Sequence, residues 1–518
     1  MLRQKAGFNP SGFVGLTVLS VIAGWVGIGM STASRAGEDF AVWVFVHGWL
    51  QRGESLYADV WDHKDFGFFF FNSLFFELGS TSGLVAGGLF WTGLFGCGVF
   101  VSASRKLNVK AALAVALITS MIYVLSPTYL GAYTENHAIT IAVLAVALLP
   151  RMPAIAGVLL AISTSVKVSG LVITLFVFVI LLVGSHWETH ERRAAHRLIR
   201  RLVLSYTLGL LAIGILAVAL GALSGWLEVI SFNIEYSSIR RADRPSLFSP
   251  RALLSYLTGD TETRFFLSVL LSTTFLLFVV RNRTGTTVAP EQVSQMETSL
   301  EKHEQLVGIG LTLGAIAGVL AQSPARPHHF GYLVGAILYL ASSSLARILA
   351  TGIAVTVRLK IFVGFMVTLL SITVASFSIR EDGPSWPTNN LAKWKSLEDG
   401  KLQFRFEESP DVQKSLVFLN YGGLAIDFET LPPLARIGCR FFYNLPHLMP
   451  RYKDEMLSCL RNDVDFVFVG LQKPLDSSIL VIARGILESR YVQCDSPQVT
   501  TEVWIKPPNK CPTITVTG

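Results

Sequence analysis

Residues 37–70 read GEDFAVWVFVHGWLQRGESLYADVWDHKDFGFFF, and this stretch decides how the rest of the chain is understood. It lies between two long apolar runs, which makes it a loop at a membrane surface. It is too charged and too aromatic to be a plain connector. Glu38 and Asp39 stand side by side just past the first apolar run. The segment DFAVWVFVHGWLQRG then sets Asp39, His47, Gln51 and Arg52 among Trp, Phe and Val and ends at Gly53. That pattern predicts a short helix lying in the interface and capped by the glycine. Tyr57-Ala-Asp-Val-Trp-Asp-His-Lys64 follows immediately before another apolar run. Carboxylates, an imidazole and an ammonium are thus gathered at one membrane face.

Working outward, the composition agrees with a membrane setting. The 518 residues are 51% hydrophobic and only 15% charged, with mean hydropathy +0.50. A soluble chain would carry about a quarter charged residues. Apolar runs of about 17–22 residues recur, each long enough to cross roughly 30 Å of hydrocarbon. The net charge of +7 is concentrated in short loops between such runs, so it speaks for orientation and not for nucleic acid. The first apolar run lacks a small-residue cleavage site and is expected to be a retained span.

Arg3 and Lys5 precede the first span, at 13–30, and place the N-terminus in the cytoplasm. Further spans are expected at 82–103, 111–126, 168–184, 202–222, 265–280, 306–321, 329–343 and 361–378, with shorter apolar runs at 67–78, 137–149 and 154–166. The run HWETHERRAAHRLIRR carries Arg192, Arg193, Arg197, Arg200 and Arg201 and is expected to be a cytoplasmic loop. A polar cytoplasmic linker is expected up to 305, and exoplasmic loops at 31–66, 223–264 and 322–329. The count comes to about eleven crossings, with the C-terminus outside. The expected fold class is therefore a polytopic α-helical membrane protein over 1–380, a linker at 381–412 and a soluble exoplasmic α/β domain over 413–518.

In that last segment Ser415–Asn420, Arg436–Tyr443 and Val464–Gly470 read as strands, and Lys453–Arg461 and Ser477–Ser489 as helices. Four of the five cysteines lie here, at 439, 459, 494 and 511. An even set in a segment placed outside predicts two disulfides, with three pairings open; four scattered thiols are the plainer alternative. There is no P-loop, no GxGxxG phosphate loop and no paired CxxC knuckle, so the chemistry belongs to the exoplasmic face.

Each candidate residue there has a plain reading beside the chemical one. Glu38 and Asp39 suit proton removal from an attacking hydroxyl, or holding a divalent ion; otherwise Asp39 caps the interface helix and Glu38 faces water. Asp62-His63-Lys64 suits a phosphate partner at headgroup depth, or else is a solvated turn with a local ion pair. Glu135 suits a helix N-terminus by its charge alone. Lys167 lies between apolar segments, where an ionisable group is costly unless it snorkels. Arg326, His328 and His329 sit on one expected exoplasmic loop. All of these groups fall on a single side of the membrane under the charge-derived topology.

The run from Gly37 to Lys64 resembles the first external loop of the GT-C glycosyltransferases, integral membrane enzymes that use polyprenyl-phosphate sugars, such as protein O-mannosyltransferases and the lipid A aminoarabinose transferase. The resemblance implies that Glu38 or Asp39 is the catalytic acid residue serving the acceptor hydroxyl. It implies that Lys64 meets the donor phosphate, with Lys167 and Arg326 in support. Asp62, His63, Glu135 and His329 become candidate metal or substrate residues, and the metal would be a divalent ion (Mg, Mn or Zn). His329-Phe330 resembles the family's His-Tyr signature, and a soluble domain after the last span matches its layout. Asp65-Phe66 departs from the Gly or Pro usual after the lysine, and Glu135 matches the second acidic motif only loosely.

The function implied is transfer of a sugar from a polyprenyl-phosphate donor to a hydroxyl of a glycan, lipid or protein acceptor in the cell envelope, at the outer face of the plasma (inner) membrane. A transporter or flippase of lipid-linked saccharides is the rival; it favours paired halves and broken helices and has no need of an exoplasmic α/β domain. Cysteine labelling from either side tests the topology. Residues 192–201 are expected to react only from the cytoplasm and residues 390–518 only from outside.

Overall fold

A computed structural model of the chain describes residues 33–125, 133–187, 192–242, 295–321, 329, 331–350, 402–406, 413–419, 428–440, 450–462, 464–470, 477–494 and 501–516. The expected spans at 13–30, 265–280 and 361–378 lie outside these, as do residues 243–264 and 322–328 of the expected exoplasmic loops. The described residues belong to two compact units. One contains Met1–Ala33, Val85–Gly214 and Ile239–Asn389; the other contains Ser34–Leu84, Ile215–Ser238 and Asn390–Gly518.

Helices come first along the chain: α1 (Ala33–Gln51), α2 (Phe66–Glu77), α3 (Ser80–Ala103), α4 (Val109–Leu125), α5 (Thr134–Leu148), α6 (Pro153–Val166) and α7 (Gly170–Trp187). They continue with α8 (Arg192–Ala219), α9 (Leu223–Ala242), α10 (Gln295–Ala321) and α11 (Gly331–Ala350). Two stretches among the described residues, Ser82–Ala103 and Ala195–Ala219, are long and apolar enough to cross a membrane. On α8 the side chains of Leu204, Leu208, Leu211, Ile215 and Val218 are all more than half exposed. Their 4-3-4-3 spacing forms one stripe down the helix, and a stripe of bare aliphatic groups suits hydrocarbon and not water.

Several boundaries differ from expectation. The arginine run at 192–201 is the start of α8 and not a loop. Arginine is a good helix former, and the apolar positions Ala195, Ile199 and Leu202 are buried at helical spacing. Residues 223–242 of the expected loop 223–264 form α9. The linker expected before 306 is helical from Gln295 onward.

Within the first unit, α7 packs along α10, α5 against α6, and α11 against α5 and α10. The α7–α10 pair is close because Gly310, Gly314 and Gly318 recur every fourth residue on one face of α10. A Cβ at Gly314 would lie 2.6 Å from Ile173 Cα, and one at Gly310 would lie 3.1 Å from Val177 Cα. Small residues at this spacing let two backbones approach where lipid supplies no hydrophobic drive.

The C-terminal part of the second unit contains β1 (Leu402–Arg405), β2 (Lys414–Leu419), β3 (Ala435–Ile437), α12 (Pro450–Arg461), β4 (Phe466–Gly470), α13 (Ser477–Arg490), β5 (Val492–Cys494), β6 (Thr501–Ile505) and β7 (Thr513–Val516). Five strands form a mixed sheet in the order β3-β2-β4-β6-β5, parallel across β3-β2-β4 and antiparallel beyond. Leu416, Val417, Phe418 and Leu419 are all buried, so β2 is covered on both faces. β1 and β7 pair separately and antiparallel, with Leu402 opposite Val516. The end of the expected linker at 381–412 is thus a strand of the domain. Of the strand expected over 436–443, the described residues up to 440 show only the short β3, and residues 441–443 lie outside the described residues; β5, β6 and β7 carry no expectation from the sequence.

Cys439 pairs with Cys459 and Cys494 with Cys511, at Cα separations of 5.6 and 5.7 Å. Each bridge closes a short loop, of 20 and 17 residues, and contributes about 3 kcal/mol by restricting the unfolded chain.

The second unit also takes in α1, against expectation. Phe40, Trp43, Phe45, Val46 and Trp49 are each less than 5% exposed. Phe45 meets Phe418 at 5.3 Å and Trp49 meets Phe428 at 5.5 Å between ring centroids. The helix expected to lie in a membrane interface has its aromatic face covered by protein, Phe45 and Trp49 by the α/β domain and Phe40 and Trp43 by Phe76 and Phe68 of α2. Its end is as the sequence suggests: Gly53 has φ 88°, Gly53 N–H donates to Leu50 O and Glu54 N–H to Trp49 O, the glycine-capped helix terminus.

The glycine face of α10 is open to test. Gly314→Ala should lower the melting temperature in detergent, costing about 1–3 kcal/mol through overpacking despite alanine's better helix propensity. Gly214→Ala on α8, where a Cβ meets nothing within 4 Å, should be neutral or stabilising in the same scan.

Candidate active site

In the second unit the loop after α1 is built by its own backbone. Leu56 and Val60 form an isolated bridge, Tyr57 N–H donates to Val60 O at 2.8 Å, and Ser55 N–H donates to Asp59 Oδ2 at 2.8 Å. The turn forces Tyr57 to φ 71°, the left-handed region that a side chain disfavours. Its ring is fully buried, and its hydroxyl donates to Lys64 O at 2.8 Å. Burial, then the charges of Asp65 and Asp62, push the phenol well above its ordinary range, so it stays a donor. A Cβ at Gly225 on α9 would overlap the Tyr57 side chain, so only glycine admits the loop there.

This scaffold presents Asp62, His63 and Lys64. Asp62 is 1% and Lys64 8% exposed, which excludes the solvated turn. Lys64 N–H donates to Asp62 Oδ1 at 2.8 Å, and His63 Nδ1 stands 3.6 Å from the same oxygen. Lys64 Nζ lies 3.1 Å from His63 Nε2 and 5.6 Å from the centre of the Trp43 ring. A desolvated ammonium over an indole face is favourable by charge–quadrupole attraction. Asn233 Nδ2 donates to His63 O at 3.0 Å, and Trp226 Nε1 donates to Asp65 Oδ1 at 3.0 Å. Asp65, which departs from the family pattern, is the N-cap of α2 and turns its carboxylate to that tryptophan.

Glu38 and Asp39 lie in the second turn of α1. The helix begins at Ala33, so Asp39 is not its N-cap. Where their side chains go is outside the described residues, as is Arg326.

In the first unit the structure brings three of the expected residues together. Glu135 stands in the first turn of α5, 1% exposed, where its charge suits the helix N-terminus. Lys167 is the extended residue that ends α6, and its Nζ lies 3.1 Å from Glu135 Oε1. His329 Nε2 lies 3.7 Å from the same oxygen, just before α11. Thr134 Oγ1 donates to Glu135 Oε2 at 2.9 Å. Lys167 therefore does not snorkel away; it is matched by a buried carboxylate. Next to these, His137 stacks on Trp91 at 4.3 Å between ring centres.

A divalent ion finds no evident ligand set here. No three His, Cys, Asp or Glu groups converge among the described residues. An ammonium already stands against Glu135, and the Lys64 ammonium stands against His63, where either would repel a cation.

The sequence reading missed Asp65, Trp226, Glu228, Asn233 and Arg440. Asn233 sits between Phe232 and Tyr236 in the aromatic run FNIEY, and Arg440 has only its neighbour Cys439 to mark it.

No protein-family model and no curated protein matches the chain. Among solved structures, the chain is similar to ArnT from Cupriavidus metallidurans bound to undecaprenyl phosphate, at 12% identity and TM-score 0.45, over 96% of this chain and 98% of that one. It is similar to the Archaeoglobus fulgidus oligosaccharyltransferase in complex with Zn and sulfate, at 12% identity and TM-score 0.47, over 96% of this chain and 73% of that one. It is also similar to AglB from Archaeoglobus fulgidus with an inhibitory peptide and a dolichol-phosphate, at 10% identity and TM-score 0.44, over 96% and 74%.

The Glu135–Lys167 pair has a direct test. Glu135→Gln should destabilise the protein by about 3 kcal/mol, because it strands a largely buried ammonium. Glu135→Gln with Lys167→Met should recover most of that loss, and thermal unfolding of the four proteins reads the coupling.

Proposed function

We propose that the chain is a membrane glycosyltransferase that moves a sugar from a polyprenyl-phosphate donor to an acceptor hydroxyl at the outer membrane face. The observation that carries the reading is the burial of Asp62 and Lys64 on a backbone-locked loop. Taking the Asp62 carboxylate and the Lys64 ammonium out of water is costly, and buried charges of this kind gather at functional sites. The resemblance of residues 37–64 to the first external loop of the GT-C enzymes points to a lipid phosphate as the ligand of that loop.

The chemistry is a single displacement. The acceptor oxygen forms a bond to the anomeric carbon as the carbon–phosphate oxygen bond breaks, and the polyprenyl phosphate leaves with the electron pair. Asp39, or Glu38 beside it, takes the hydroxyl proton. Lys64 offsets the charge that grows on the leaving phosphate, an effect strengthened by its removal from water. Lys167 and Arg326 are further phosphate candidates, and Glu135 and His329 are candidate substrate residues; Lys167 already pairs with Glu135.

Asp39→Asn, and to a lesser degree Glu38→Gln, should lower transfer by about 10²-fold or more while donor binding persists, since the shape is kept and the proton acceptor is lost. Lys64→Ala should weaken donor binding as well as rate, and Lys64→Arg should restore it only in part. Turnover of a polyprenyl-phosphate sugar in detergent reads all four, where transport cannot be scored. Near-normal turnover in the folded Asp39→Asn/Glu38→Gln double variant would sink the assignment.

A further inference from the structure

Arg440 follows β3 in the C-terminal part of the second unit, far in sequence from the loop that carries Lys64. Its guanidinium is engaged on every side. Nε donates to Glu455 Oε1 at 2.6 Å and Nη2 to Glu455 Oε2 at 2.8 Å. Nη1 donates to Glu228 Oε2 at 2.8 Å and Nη2 to Glu228 Oε1 at 3.1 Å. Nη1 also donates to Tyr57 O at 3.3 Å. Five N–H donors thus meet two forked carboxylates and one carbonyl, a geometry available to a planar guanidinium and to no other side chain. The backbone adds one more bond, from Trp61 N–H to Arg440 O at 2.9 Å.

We propose that Arg440 is a positioning residue for the loop from Tyr57 to Lys64, held in register by the Cys439–Cys459 disulfide. The chain of bonds is continuous. The disulfide joins the residue before Arg440 to α12, one turn beyond Glu455 on the same helix. Arg440 holds both Tyr57 O and Trp61 N–H, and the Tyr57 hydroxyl holds Lys64 O. Trp61 is closed in by Phe232 at 4.8 Å and Tyr452 at 5.8 Å between ring centres. Burial acts to lower the Arg440 pKa, but its bonds to Glu455 and Glu228 outweigh that and leave it raised, so the clamp carries its charge at every working pH. The link to donor binding rests on the reading of Lys64 as the phosphate residue.

The test uses the full-length protein in lipid nanodiscs, with hydrogen exchange of peptides covering 55–65 and binding of undecaprenyl phosphate as the two measurements. Arg440→Gln should speed exchange in 55–65 by about tenfold or more, the loss of charge-assisted bonds, while β2 and β4 stay protected. It should weaken undecaprenyl phosphate binding by a similar factor. Arg440→Lys should fail to restore either, because one ammonium cannot fork to two carboxylates. The Cys439→Ser/Cys459→Ser variant should loosen the same peptides to a lesser extent. Lys64→Ala should weaken binding without changing exchange. Unchanged exchange at 55–65 in Arg440→Gln, or exchange raised equally across β2 and β4, overturns the clamp. A Lys64→Ala protein that binds undecaprenyl phosphate normally overturns the donor reading instead, and loosened peptides in Arg440→Gln would then still support the clamp.

Discussion

Tyr57 has its backbone in the left-handed region and its ring wholly buried, and the organisation of the second unit follows from keeping it there. Such a conformation costs on the order of 1–3 kcal/mol for a residue with a side chain, so it persists only where its surroundings over-determine it. They do so from four directions. Val60 accepts its amide proton, Arg440 donates to its carbonyl, Lys64 accepts its hydroxyl proton, and Gly225 leaves room for its side chain. Released from this, the chain between Gly53 and Phe66 would have no reason to bring Asp62 and Lys64 out of water together.

The two charged groupings show opposite solutions to one problem. In the first unit, Lys167 and His329 are brought to a single buried carboxylate. In the second, Lys64 is set against an imidazole and an indole face. The first is an ion pair between an ammonium and a carboxylate, whereas the second places an ammonium beside two rings.

Much of this was legible in the sequence wherever the signal is local. The Gly53 cap, the bounds of α3 to α6, the strands β2 and β4 and the grouping at 57–64 all follow from spacing, turn residues and composition within a few residues of each other. The reading failed where the decisive partner is distant. Tyr57 and Arg440 are 383 positions apart, and Arg440 and Glu228 are 212 apart, so no window on either one reveals the bond. The aromatic face of α1 is the instructive case. A stripe of Phe, Trp and Val looks the same whether lipid or protein covers it, and its partners, Phe68 and Phe76 nearby and Phe418 and Phe428 far along the chain, decide between them. The arginines at 192–201 misled in the other direction, since a run of charge reads as a loop even when buried alanine, isoleucine and leucine continue the helix through it.

The second unit is assembled from Ser34–Leu84, Ile215–Ser238 and Asn390–Gly518, and this has a consequence for biosynthesis. The ribosome makes α1 first, with Phe45 and Trp49 ready, but Phe418 and Phe428 emerge several hundred residues later. At ribosomal rates that interval is on the order of tens of seconds. Phe40 and Trp43 meet Phe76 and Phe68 of α2 early, while Phe45 and Trp49 wait for the sheet. Exposed aromatic side chains are prone to wrong contacts while they wait, so the order of synthesis alone makes the pairing of α1 with the sheet a late step of assembly.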